Sequence, residues 1–73
     1  MTLPPIDYHI AAGPRGWGIY RDGMQIAHRR DPADAIAFAN FFADRETRLT
    51  TRGVRVSADQ SLHRTLDAIR LAA

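Results

Sequence analysis

A chain of 73 residues makes one domain, and a domain of this size buries only roughly 60% of the surface its unfolded chain exposes. All ten basic residues are arginine, and against eight acids they leave a formal charge of +2. The pI of about 9.9 therefore reflects how little titrates between pH 8 and 10, and the bulk charge makes no case for a polyanion partner. Cysteine is absent, which excludes disulfides, iron–sulfur clusters and Cys-ligated zinc and fits a reducing compartment such as the cytoplasm.

No run approaches the roughly 20 apolar residues that span a bilayer. Met1-Thr2-Leu3-Pro4-Pro5 has neither a basic start nor an apolar signal core. Residues 1–5 read as a loose N-terminal arm on a single small α+β domain, 1–73, expected in the cytoplasm.

The first strand, about Ile6 to Ala12, alternates in period two. Ile6, Tyr8, Ile10 and Ala12 share one face, and Asp7, His9 and Ala11 the other. Gly13-Pro14-Arg15-Gly16 is turn chemistry. In the second strand Trp17, Ile19 and Arg21 alternate with Gly18 and Tyr20. Asp22-Gly23 predicts a hairpin turn, because both residues tolerate positive φ. The third strand sets Met24, Ile26 and His28 on the inner face against Gln25, Ala27 and Arg29 on the outer. Together these form a three-stranded antiparallel meander.

Asp31 is a good N-cap, Pro32 suits the first helical position, and Asp34 favours the first turn. The helix is expected from Pro32 to about Arg45. Ala35, Phe38, Ala39 and Phe42 form its apolar stripe, which Ile36, Phe41 and Ala43 widen beyond what one small sheet needs. Val54 and Val56 suggest a short strand. Ser57-Ala58-Asp59-Gln60 has the spacing of a capping box, opening a second helix whose apolar face carries Leu62, Leu66 and Ile69. The fold class is α+β: a three-stranded meander packed by a helix, then a short strand and a C-terminal helix, β-β-β-α-β-α.

Reactive arrangements are sparse. His9, His28 and His63 fall on separate elements without metal-ligand spacing, so surface or edge positions account for them. Asp22, Asp31 and Asp34 serve turns and helix starts, Asp44 and Glu46 read as solvated surface, and Ser57 reads as a cap. No nucleophile elbow or phosphate loop occurs. The chain is expected to be non-enzymatic, with no cofactor and no metal.

Two binding surfaces remain. Phe41 exceeds what one helix–sheet contact buries, so either the second helix covers it or another subunit does. Phe41 with Leu62, Leu66 and Ile69 is the expected contact for a protein partner, another chain or a second copy in a homodimer. The alternative is nucleic acid on the outer sheet face, where Tyr20 can stack and Gln25 and Arg29 can reach base edges. Arg15, Arg21 and Arg30 would rim that face. Residues 47–56 carry Arg48, Arg52 and Arg55 and no acid, and with Arg45 they form a second candidate phosphate patch.

Tyr8-His9-Ile10, Trp17-x-Ile19 and the helix opening at Ala35-Ile36 resemble a family of short bacterial proteins of unknown function. Those proteins begin Tyr-His-Val, continue Trp-x-Val and open a helix at an Ala-Ile step. The likeness covers roughly residues 8 to 56, with Arg52-Gly53-Val54 standing where the family has a late Gly-Arg-Ile turn. The chain departs from that pattern in lacking lysine, in its Asp-Pro helix start and in its C-terminal helix. The resemblance implies a fold and no activity. The β-β-β-α order also resembles the arm-binding domain of phage-type integrases and an antitoxin fold, without transferring a residue role from either.

Overall fold

The computed structural model describes residues 3–59, and the second helix expected around Leu62, Leu66 and Ile69 lies outside them. Strands β1 (Ile6–Gly13), β2 (Gly16–Arg21) and β3 (Met24–Arg29) precede helix α1 (Pro32–Leu49), and β4 (Val54–Ala58) follows it. The meander is as the sequence predicts. The sheet gains a fourth strand, in the order β3-β2-β1-β4, with β4 parallel to β1. Helix α1 therefore crosses the sheet from one edge strand to the other.

Both hairpins use two-residue loops, since Gly13 pairs with Gly16 and Arg21 with Met24. Asp22 and Gly23 have φ of 48° and 85°, the positive pair that matches the twist of flanking strands. Gly16 has φ of 139°, and a methyl there would stand 2.5 Å from the Arg29 carbonyl oxygen. The close approach of the β3 end to this turn requires glycine.

Ile6, Tyr8 and Ile10 point to the helix and are buried, with Ile19 opposite Ile10. Ala35, Ile36, Ala39 and Ala43 meet them from α1. The helix face in deepest contact is thus mostly alanine, which lets it lie close to the sheet. Phe38 and Phe42 are half-buried along one flank rather than central. Trp17 also packs against the core without being fully enclosed.

The expected faces of β3 are reversed over much of its length. A register shift between Ile19 and Tyr20 sets Ile19 opposite Ala27 and Tyr20 opposite Gln25, leaving Ile26 as the extra residue. One inserted residue exchanges the two faces beyond it. Ala27 and Arg29 consequently face the helix, His28 faces outward, and Ile26 stays 42% exposed.

Asp31 caps α1 as expected, its Oδ1 accepting from the Ala33 N–H at 2.8 Å. The helix continues one turn past Arg45, to Leu49. Ser57 does not cap a helix: it lies within β4.

Candidate functional site

At the C-terminal end of α1 the Glu46 carboxylate sits between β1 and β2. The Tyr8 hydroxyl donates to Oε2, and Arg21 donates from Nε at 3.0 Å to both oxygens and from its terminal nitrogen to Oε1. This bidentate geometry is the strong form of the pair. Hydrogen bonds from Arg21, then from Tyr8, lower the Glu46 pKa from its ordinary 4.5 to about 2. Burial and the neighbouring carboxylate raise that of Tyr8, and the pair with Glu46 raises that of Arg21. Glu46 is thus a structural anion and not the solvated surface group its sequence position suggests. A cleft of about 370 Å³ opens beside it, walled by Phe42, Arg45 and Leu49.

The outer sheet face carries a second network, which follows from β4 lying parallel to β1. His9 pairs in register with Ser57. Its Nε2 lies 2.9 Å from Asp59 Oδ1 and its Nδ1 2.8 Å from Ser57 Oγ. With Asp59 accepting, Nε2 carries a proton, and the single proton of the Ser57 hydroxyl is shared between two acceptors, Nδ1 of His9 and Oδ1 of Asp7. Asp59 Oδ2 also accepts from the Ala12 N–H at 2.8 Å, and that bond, ahead of His9, lowers the Asp59 pKa. Asp7 Oδ1 stands 3.2 Å from Ser57 Oγ and 3.2 Å from Arg55 Nε.

Hydroxyl, imidazole and carboxylate in a row is the order of a nucleophilic relay. The Asp7 carboxylate beside Ser57 opposes the oxyanion such chemistry must build. The row clips β4 to β1. Ser57's part in it was hidden from the sequence, because only the parallel pairing brings residue 57 beside residue 9.

The third feature lies over β2 and β3 on the same face. Gly18 is buried beneath Tyr20 and Gln25, and a methyl on it would stand 2.9 Å from Tyr20 Cε1 and 3.3 Å from Gln25 Nε2. A depression of about 300 Å³ opens there, reaching Arg15 and His28.

Of the ten residues expected to meet nucleic acid, Arg15, Tyr20 and Gln25 converge on that depression. Arg55 shares the face but is bonded to Asp7. Arg21 is not at the rim: it faces the helix and holds Glu46. Arg29 also faces inward, its guanidinium 4.5 Å from the Phe38 ring centroid, a cation–π distance. Arg30 is exposed after β3. Arg48 pairs with Asp44 at 3.1 Å along the helix, and Arg52 donates to the Pro4 carbonyl at 2.9 Å. Arg45, Arg48, Arg52 and Arg55 are thus spread over a helix, a turn and a strand and form no single patch.

Of the expected protein contacts, Phe41 is 63% exposed, and its ring meets Phe42 edge-on at 5.2 Å. Leu62, Leu66 and Ile69 lie outside the described residues. Among the described residues no cluster of three metal-ligating side chains occurs, and no helix is long and apolar enough to cross a membrane.

The chain matches no protein-family model, no curated protein and no solved structure in the three comparisons.

Proposed function

We propose that this chain is a small non-enzymatic binding module that works through protein contact, and that its partner is a second copy of itself. Phe41 carries this reading. A large aromatic left mostly in solvent, at the end of an aromatic row, is the type of residue that anchors interfaces. The row runs from Arg29 on β3 through Phe38 and Phe42 to Phe41, with Phe38 and Phe42 centroids 4.6 Å apart.

The adjoining strand supports the choice of a like partner. β3 is an edge of the sheet and exposes Met24 at 72% and Ile26 at 42%. Unpaired edges template further strand pairing. Asp22 precedes β3 and the exposed Arg30 follows it, so two copies laid antiparallel bring the acidic end of each strand to the basic end of the other. A two-fold contact of this kind is self-complementary.

Sedimentation across a range of protein concentrations tests the reading. A concentration-dependent dimer is expected for the native chain, and a monomer for Phe41→Asp with an unchanged circular dichroism spectrum. A native chain that stays monomeric throughout overturns it.

A further inference from the structure

We infer that the depression over Gly18 is a subsite for a single nucleobase, from a free nucleotide or an unpaired position of a single strand. This goes beyond the self-association above and uses the opposite side of the sheet.

Glycine in the interior of a strand weakens it, and often marks a bulge or a close approach to the backbone. At Gly18 the bulge lies next in the strand and the groups that approach are Tyr20 and Gln25. Gly18 lets Tyr20 and Gln25 lean over the sheet, as the 2.9 and 3.3 Å distances to a notional methyl show. Its register neighbours, Ala11 on β1 and His28 on β3, leave the floor low on one side and bring an imidazole to the other. The volume of about 300 Å³ falls at the bottom of the range of roughly 300–1,000 Å³ that ligand sites occupy. A space of that size takes one planar group and not an extended molecule.

The chemistry of the lining selects the group. Tyr20 offers an aromatic surface, on which any base can stack. Gln25 carries a donor and an acceptor in one plane, the pairing that matches the edge of adenine. Its Nε2 is occupied only by a 3.3 Å bond to the Ala27 carbonyl. Among the described residues Arg15, Tyr20 and His28 make no side-chain hydrogen bond or ion pair, whereas Arg21, Arg48, Arg52 and Arg55 all do. Arg15 sits on the exposed turn at the mouth, placed to meet the phosphate that accompanies a base.

Fluorescence anisotropy with short labelled single-stranded DNA and RNA at low and raised salt, and amide NMR titration with AMP and UMP, test this. Binding is expected to weaken with salt. Tyr20→Ala is expected to lower affinity on the order of tenfold, and Tyr20→Phe, which keeps the ring, to leave it unchanged. Shifts at Gly18, Tyr20 and Gln25 with the mononucleotides identify a free nucleotide as the ligand, and binding confined to the oligonucleotides identifies a strand. Absence of binding in both arms, or binding indifferent to Tyr20→Ala, overturns the inference. Phe41 is on the helix side, so failure of the dimer and failure of this site are separately visible.

Discussion

Glu46 holds its carboxylate between the Tyr8 hydroxyl and the Arg21 guanidinium, joining the end of α1 to two strands. Its proton affinity is lower in the folded chain than in the unfolded one. The resulting stability is therefore complete above the ordinary 4.5 and is lost as the pH falls through about 2. Asp59 shifts in the same direction and adds to the acid limb. Tyr8 shifts the other way, so its contribution is intact below pH 10 and disappears at higher pH. Glu46→Gln keeps the shape and removes the charge, and should cost roughly 1.5–3 kcal/mol at neutral pH. Urea unfolding at neutral and acid pH checks both parts: the variant should be less stable at neutrality and should lose less on acidification. Equal acid sensitivity in the two proteins would contradict this role for Glu46.

At the scale of elements, what was legible depended on whether a signal was local. The alternation of Ile6, Tyr8 and Ile10, the Asp22-Gly23 turn and the Asp31-Pro32 helix start each express preferences of the residues themselves, and the structure keeps them. β3 misled because Ile26, its largest aliphatic, draws the inward assignment, while the bulge that displaces it comes from pairing with β2. Ser57 misled for the same reason. A serine three residues before a glutamine reads as a cap until a parallel neighbour supplies His9 as a partner for its hydroxyl. Of the candidate sites, Tyr20 and Gln25 were legible from strand parity, whereas the Glu46 triad needed the full length of α1.

The two hairpin glycines make a paired test of the turns. Gly16→Ala meets the backbone of Arg29 and Arg30 and should cost on the order of 1–3 kcal/mol or more. Gly23→Ala meets nothing within 4 Å and should bear only the conformational cost of positive φ, about 1–2 kcal/mol. Denaturant unfolding of the two variants should rank them in that order.

Over the whole molecule, the two faces and two edges of the sheet divide the work. Helix α1 covers one face and leaves an aromatic flank above β3. The other face is clipped over β1 and β4 and hollowed over β2 and β3. The edges differ as well, since β3 presents Met24 and Ile26 whereas Arg55 of β4 is drawn to Asp7. A second copy is thus expected along β3 and not along β4. Isotope-filtered NMR on an equal mixture of labelled and unlabelled chain tests this most directly. The account predicts intermolecular contacts from the Phe41 ring and the Met24 and Ile26 methyl groups. Intermolecular contacts confined to Val54 and Val56, or none at concentrations where the chain sediments as a dimer, would contradict it.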